Sequence, residues 1–427
     1  MSAPGAQRNL LVRNTFLLAA AKACTFIIPL VTTPYLARVL GLEQFGLLGI
    51  ASNILGNLTI LTDWGFSLSA TREAAQNASD PVALRCLFWD TMAARGVLGV
   101  ASLIIIVIII ASLGFPSPLS GIILAGWFGI LGNVIWTGWF LQGIESMGPM
   151  VLAALIGRLL TVPLIFLFVH NPSDTAKAVA IAAVGGIVSG LISLRVAADA
   201  KPLMPVQFTI SGAWRQLREG WHLFISMGAI SLYTQINVII VGAIAGSEQA
   251  GLLFGAEKLQ NAGKSAIEVL SNAAYPRVCN LVAQNADQAL QLIKRLLAIQ
   301  GAMGFGIFAA MLAGSPYLTA FFLGADYQGA IPALRWLSIT VFLVGLSNGL
   351  TAYIMLPFGM KRSYMRVIIG AGLFNIGAIV PLTCYLGATG ASISIVSTEL
   401  IIVVLLIGIV VWRAPRANSA RESLELK

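Results

Sequence analysis

Five basic residues lie inside long apolar stretches that would ordinarily carry no charge. They are Lys22, Arg95, Arg158, Lys258 and Lys264. At 1.5 Å per helical residue, Lys22, Arg95 and Arg158 come near the middle of a bilayer. A Lys or Arg there costs at least about 2.5–3.5 kcal/mol on insertion scales and usually faces a bundle interior or an aqueous cavity. Because Arg and Lys are natural partners of phosphate and pyrophosphate, these residues indicate an anionic cargo.

A polar stripe runs along one of the apolar stretches of the second half. Glu257, Asn261, Lys264, Glu268 and Asn272 recur at steps of 4, 3, 4 and 4, which places them on one face of a helix. Such a stripe along a membrane helix indicates that the helix lines an aqueous cavity. The substrate-binding residues predicted from these two patterns are Lys22, Arg95, Arg158, Lys258, Asn261 and Lys264.

Acidic residues and two further arginines are predicted to act in gating or ion coupling. In each half an acid precedes an Arg by nine residues, about 13 Å along a helix, so the two would not pair with each other. We expect them to contact other helices and to hold the inner face closed. The predicted gating or ion-coupling residues are Asp63, Arg72, Glu257, Glu268, Arg277 and Glu399.

The alternative interpretation is structural. Lys258 and Glu257 would then serve only helix pairing, with Glu268, Glu399 and Asp63 neutralising the remaining charge. Lys22 would extend its ammonium towards the membrane surface.

The sequence has none of the patterns of the common enzyme classes. Its two histidines, His170 and His222, have no Ser or Cys nucleophile pattern nearby, and no P-loop, HExxH or GxGxxG motif is present. We therefore expect no enzymatic activity, no cofactor and no metal. Without a nucleotide site, transport would be passive or coupled to a proton or sodium ion.

A short motif occurs twice, at an offset of 205 residues. Gly41-Leu42-Glu43-Gln44-Phe45-Gly46-Leu47-Leu48 returns as Gly246-Ser247-Glu248-Gln249-Ala250-Gly251-Leu252-Leu253. The same offset carries Asp63 onto Glu268 and Arg72 onto Arg277. This register indicates an internal duplication, which is typical of transporter folds.

Composition predicts an all-α integral membrane protein. Hydrophobic residues make up 58% of the 427 residues and charged residues 10%, whereas soluble domains carry about 25% charged residues. Apolar runs of about 20 residues predict twelve transmembrane helices. They span 14–38, 44–68, 86–113, 119–141, 149–169, 176–196, 219–245, 250–275, 296–322, 332–357, 364–386 and 389–412.

The predicted helices form two pseudo-symmetric six-helix bundles, residues 1–200 and 201–427, joined by a polar linker at 197–218. With the N-terminus inside, 18 of the 26 Lys and Arg residues fall on the cytoplasmic side. This bias predicts that both termini are cytoplasmic. The net charge of +9 lies in loops between spans, so nucleic acid is not an expected partner. Asp80 and Asp287 are predicted to cap the third and ninth spans.

The first 75 residues resemble the Wzx (RfbX) polysaccharide flippases of the multidrug/oligosaccharidyl-lipid/polysaccharide (MOP) superfamily. The resemblance rests on Ile28-Pro29-Leu30-Val31-Thr32-Thr33-Pro34-Tyr35-Leu36-Ala37-Arg38-Val39-Leu40-Gly41, Phe45-Gly46, Asp63-Trp64-Gly65-Phe66 and Ser69-Ala70-Thr71-Arg72-Glu73. It implies a V of two bundles, opening alternately to each side of the bacterial inner membrane around a cationic cavity. The implied cargo is an undecaprenyl-pyrophosphate-linked oligosaccharide, with polysaccharide polymerase and chain-length proteins as possible partners.

Other functions remain open at this point. A lipid II flippase of the same superfamily usually has fourteen spans, and two further C-terminal spans are absent from the pattern here. A drug antiporter would favour cationic drugs, against which the excess of basic residues argues. A non-transporting scaffold for polysaccharide assembly would use the charges only for helix packing.

Overall fold

The computed structural model describes the backbone of residues 4–114, 117–201 and 209–425. Within these ranges it does not describe the side chains of residues 4–27, 113, 117, 232, 283, 286 and 413–425. The described chain is helical and contains no strand, which confirms the all-α fold class. Nine of its helices are long and apolar enough to cross a membrane.

The helices follow one another with short connections. They are α1 Pro4–Asp63, α2 Phe66–Gln76, α3 Pro81–Leu113, α4 Ser117–Ile135, α5 Gly138–Gly143, α6 Met147–Phe168, α7 Thr175–Ala200, α8 Ile210–Thr234, α9 Ile236–Gln284, α10 Ala286–Phe322, α11 Ala330–Leu350 and α12 Lys361–Glu425. Single 3-10 turns lie at Pro172–Asp174 and Ala325–Tyr327, and a π-helical turn at Thr351–Met355 extends α11.

Three of the long helices are interrupted at a glycine. The breaks are at Gly41 in α1, Gly246 in α9 and Gly387 in α12. Each has a positive φ, a conformation that glycine adopts without the steric cost that other residues meet. The breaks fall where the sequence predicts the ends of spans 1, 7 and 11. The total of twelve spans stays a prediction.

Structural features recur at the offset of the duplicated motif. Gly41 has φ 73° and ψ 173°, and Gly246 has φ 89° and ψ 171°. Asp80 caps α3 by accepting from the amides of Val82 and Ala83 at 2.9 and 3.1 Å. Asn285, 205 residues later, caps α10. The duplicated motif therefore begins a stretch that keeps its register as far as the next helix.

The predicted cap at Asp287 is wrong. Asn285 is the N-cap, since its side chain accepts from the amide of Gln288 at 3.0 Å. Asp287 lies within the first turn of α10, where its negative charge still suits the positive end of the helix dipole.

The chain divides into two compact units, residues 1–231 and 232–427. In the first unit small residues allow close helix contact: Gly157 of α6 lies against Gly185 and Ser189 of α7. The second unit consists of the end of α8 with α9 to α12.

Two predicted boundaries differ from the structure because amphipathic helix escaped the search for apolar runs. The linker predicted at 197–218 is shorter, since α7 extends to Ala200 and α8 begins at Ile210. Residues 210–218 are polar on one side and pack with the other, where Gln216 is fully buried. Span 2 ends at Asp63 rather than residue 68, because Trp64 and Gly65, with φ of 48° and 82°, end α1.

Candidate functional site

The polar stripe of the second unit lies on one uninterrupted helix, the part of α9 after Gly246. Glu257, Lys264 and Glu268 are half-buried, and Asn261 is exposed. Lys264 lies within electrostatic range of Glu399, Glu257 and Glu268. The structure thus brings four of the predicted site residues of this unit together around Lys264.

Glu399 comes to this cluster from α12 and is 8% exposed. The hydroxyls of Tyr233 and Tyr364 are close enough to Glu399 to feel its charge. Neither tyrosine stood out in the sequence, because an isolated tyrosine in an apolar run carries no positional signal. The cluster around Lys264 therefore combines one ammonium with three carboxyl groups and two hydroxyls.

Lys258 lies beside this cluster with a different contact. Its ammonium is 4.5 Å from the centroid of the Phe254 ring, one helical turn earlier. A ring face attracts a cation by about 0.5–1 kcal/mol at exposed sites and more where water is excluded. Lys258 is also within electrostatic range of Glu257.

Hydrogen bonds on another side of α9 fix the helix that carries the cluster. Gln260 donates to the hydroxyl of Thr340 on α11. Ser271 donates to Gln300 of α10 at 3.2 Å. Both glutamines and Ser271 are buried, so the charged face is held by polar contacts as well as by apolar packing.

Arg95, in the first unit, is 1% exposed and ion-paired with Asp63, with 3.4 Å between Nη2 and Oδ1. Its other terminal nitrogen donates to the carbonyl of Trp136, at the end of α4. Asp63 also accepts from Ser67 at 2.9 Å. Arg95 therefore joins α3 to the ends of α1 and α4.

The residue equivalent to Arg95 in the second unit is Gln300, 205 positions later. Gln300 donates to the carbonyl of Gly345 at 2.6 Å and accepts from the hydroxyl of Tyr353 at 2.8 Å. It is also 1% exposed. Each unit thus has a buried polar side chain anchored to a carbonyl of a later helix. Applying the 205-residue offset to Arg95 would have revealed Gln300.

The remaining predicted residues lie in several places. Arg72 is exposed on α2, and because α1 ends at Asp63 the predicted helical spacing between the two does not apply. Glu268 and Arg277 do share α9, and Arg277 is exposed. Arg158 is exposed on α6. Lys22 belongs to α1, and its side chain lies outside the described residues.

Two glutamines of the duplicated motif make equivalent contacts that the sequence did not predict. Gln44 accepts from the hydroxyl of Thr175, the first residue of α7, at 3.0 Å. Gln249 accepts from the amide of Ala388, just after the break in α12, also at 3.0 Å. Each motif therefore holds the start of the last helical segment of its own unit.

Within the described residues no group of three or more His, Cys, Asp or Glu side chains could hold a metal ion.

Comparison with known proteins places the chain in a family. Residues 11–282 match the model of a family described as polysaccharide biosynthesis protein. A relative from Escherichia coli (strain K12) is 31% identical over 395 residues, covering 92% of this chain and 95% of its own. One from Shigella dysenteriae is 26% identical over 400 residues, covering 92% and 98%. Both carry the name "Putative O-antigen transporter".

Solved structures show the same fold at low sequence identity. The lipid II flippase MurJ, in an inward closed conformation, matches with a TM-score of 0.72 at 14% identity, covering 93% of this chain and 87% of that one. An inward-facing multidrug resistance MATE family transporter of the MOP superfamily matches with a TM-score of 0.69 at 16% identity, covering 92% and 96%. The chain therefore belongs to the polysaccharide biosynthesis protein family, as its resemblance to the Wzx flippases predicts, and is a multi-pass membrane protein with the fold of the MOP superfamily.

Proposed function

We propose that this protein is a flippase for a lipid-linked oligosaccharide. It moves an undecaprenyl-pyrophosphate-linked repeat unit from the cytoplasmic to the periplasmic leaflet of the bacterial inner membrane by alternating access. Both termini are cytoplasmic in this proposal. The names of the two curated relatives support the substrate class. The observation that carries the proposal is the charged face of α9, which holds a half-buried Lys264 among carboxylates in a membrane helix.

In this proposal the charged face acts by exchanging partners. Without cargo, Lys264 is balanced by Glu399, Glu257 and Glu268. A pyrophosphate brings its own negative charge and competes with these carboxylates for the ammonium. Lys258 and Asn261 lie on the same stretch of α9, where they add a second point charge and an amide donor. A Lys binds phosphate as a point charge, so the contact tolerates movement of the headgroup.

Carboxylates released from Lys264 are the proposed sites of a counter-ion. Glu257, Glu268 and Glu399 would take up a proton or a sodium ion when the headgroup occupies the ammonium, which links cargo to ion binding. Asp63, Arg72 and Arg277 remain proposed gating residues.

The other proposed cargo residues belong to the first unit. Arg158 is exposed on α6 and has a guanidinium that can bind a phosphate through two parallel hydrogen bonds. Lys22 stays a proposed ligand from α1. Arg95 is engaged with Asp63 and Trp136, so it would reach a headgroup only after that ion pair opens. Polysaccharide polymerase and chain-length proteins remain proposed partners.

Transport by the purified protein tests the function. Proteoliposomes would receive a fluorescent lipid-linked oligosaccharide, lipid II or a cationic dye, and exposure at the opposite leaflet would be followed with a membrane-impermeant quencher. We expect rapid movement of the lipid-linked oligosaccharide alone. Preferential movement of lipid II, or export of the dye, would replace this proposal with one of the other transporter classes. Movement of none of the three would favour a scaffold.

A further inference from the structure

One end of the second unit carries a group of exposed basic side chains, here called the basic end. Its members lie at the end of α9, near the start of α10 and at the start of α12: Arg277, Lys294, Arg295, Lys361, Arg362 and Arg366. Within residues 274–296 and 351–370 the only acid is Asp287. Among the described residues no acidic side chain lies within salt-bridge distance of the six.

A small apolar core brings these basic residues to the same place. Val278, Ile293 and Tyr353 are buried against one another and join α9, α10 and the π-helical turn. Arg277 and Lys294 are the direct chain neighbours of Val278 and Ile293. The start of α12 is tied to the same turn, because the amide of Met360 donates to the carbonyl of Met355 at 2.7 Å.

The first unit covers the equivalent surface with its own chain. Trp64 stacks on Phe224 of α8, with ring centroids 4.1 Å apart. Its indole also donates to the carbonyl of Leu217 at 2.8 Å. Asp90 accepts from the amide of Thr209, just before α8, at 3.2 Å. These contacts hold the start of α8 against α1 and α3.

In the second unit the same positions are open. The offset of 205 residues carries Trp64 onto Val269 and Asp90 onto Arg295. Val269 is 57% exposed and Arg295 is exposed. A surface that packs against a helix in one repeat is therefore a basic, uncovered surface in the other.

Apolar and aromatic side chains border the basic end. Leu290 of α10 is 47% exposed, Phe358 45% and Tyr275 of α9 37%. Tyr is enriched at the level of lipid headgroups, and Lys or Arg near an anionic membrane surface contributes about 1 kcal/mol per residue. A phospholipid has both an anionic head and apolar tails, so it fits the basic residues and their border together. An acidic soluble protein would use only the charges.

We propose that the basic end of the second unit binds the headgroup of an anionic phospholipid, which occupies the place that α8 takes in the first unit. This site is separate from the charged face of α9, and it does not depend on what the protein transports.

Competition between two lipids tests the proposal. The purified full-length protein in mild detergent is mixed with equal amounts of phosphatidylglycerol and phosphatidylcholine, and retained lipids are counted by native mass spectrometry. We expect the wild type to retain phosphatidylglycerol preferentially. The triple variant Lys294→Gln, Arg295→Gln, Arg362→Gln should lose about tenfold or more of that preference, since each lost charge removes an attraction of about 1 kcal/mol.

The matched control removes three exposed charges from the first unit through Arg85→Gln, Arg195→Gln and Arg218→Gln. It should keep the wild-type preference. The charge-conserving variant Lys294→Arg, Arg295→Lys, Arg362→Lys should keep it too, which separates lost charge from lost folding. An equal loss in both triple-Gln variants would reduce the effect to overall charge and overturn the proposal. Equal retention of the two lipids by the wild type would also overturn it and leave the surface to an acidic protein partner.

Discussion

At the level of single residues, the buried charges of the two units have different surroundings. Arg95 has one carboxylate and one carbonyl as fixed partners. Lys264 faces three carboxylates and a face that includes the exposed Asn261. A guanidinium held between three helices serves position first, whereas an ammonium beside an open polar face can change partners. This contrast is why the proposed cargo site centres on Lys264.

The first prediction concerns the ion pair of Arg95. Arg95→Gln leaves Asp63 without its partner and should destabilise the protein by about 3 kcal/mol, as expected when one member of a buried pair is removed. The double variant Arg95→Gln, Asp63→Asn should recover most of that loss, because a neutral Gln fills the equivalent position in the second unit. Chemical unfolding in detergent, followed by tryptophan fluorescence, measures both. A double variant no more stable than the single one would contradict the pairing.

The second prediction concerns Arg158, the proposed bidentate ligand on α6. Arg158→Lys should retain part of the transport because a point charge remains, Arg158→Ala should lose most of it, and Arg158→Glu should abolish it. The readout is the flipping rate in proteoliposomes, divided by the amount of inserted protein. Normal rates for the Ala and Glu variants at normal abundance would assign Arg158 to helix packing alone.

At the level of elements, the duplicated motif is a helix break with a fixed contact. Gly41 and Gly246 reverse the sign of φ, and Gln44 and Gln249 then reach the last helical segment of each unit. The sequence showed the repeat but not its geometry, because a Gly-bounded polar turn is compatible with many loop forms. The two glutamine contacts join residues that are more than a hundred positions apart, which no local pattern specifies.

The third prediction tests these breaks. At Gly41 and Gly246 an added Cβ would meet no atom within 4 Å, so Gly→Ala would act only through the backbone. Each substitution should destabilise by about 1–2 kcal/mol because φ is positive. Gly228 and Gly370 also have open space but lie within α8 and α12. There Gly→Ala should be neutral or stabilising by up to about 1 kcal/mol. Thermal unfolding of the four variants makes the comparison, and equal effects at all four sites would refute the explanation.

The fourth prediction separates the two candidate caps of α10. Asn285→Ala should destabilise by about 1 kcal/mol, since a lost cap leaves an amide of the first turn without its partner. Asp287→Ala should have a smaller effect of a few tenths of a kcal/mol, because only its interaction with the helix dipole is lost. Unfolding free energies decide between them. A larger loss at Asp287 would restore the cap expected from the sequence.

At the scale of the whole molecule, composition and apolar run length were enough to predict the fold class. Low charge over 427 residues leaves a helical membrane protein as the answer. Span ends were less predictable. The first turns of α8 carry Arg215 and Arg218, so they resemble a linker in sequence, yet they form a helix packed on the first unit.

The candidate site was predictable where it follows helix periodicity and not where it depends on packing between helices. The polar stripe of α9 follows from spacing alone. Glu399 was identified because a carboxylate in an apolar span is rare, but its proximity to Lys264, Tyr233 and Tyr364 depends on how α12 packs. The partner of Asp63 was likewise not predictable, because Arg95 is 32 residues away on another helix.

The central claim is that the charged face of α9 carries an anionic lipid-linked sugar, and the flipping rate of Lys264 variants tests it most directly. Wild type, Lys264→Arg and Lys264→Gln are compared in proteoliposomes with a fluorescent lipid-linked oligosaccharide. Ala266→Gln, an exposed position on a different side of α9, is the control. The account predicts that Lys264→Arg keeps part of the rate, that Lys264→Gln loses at least about tenfold, and that the control flips normally. A normal rate for Lys264→Gln at equal protein abundance would contradict the account.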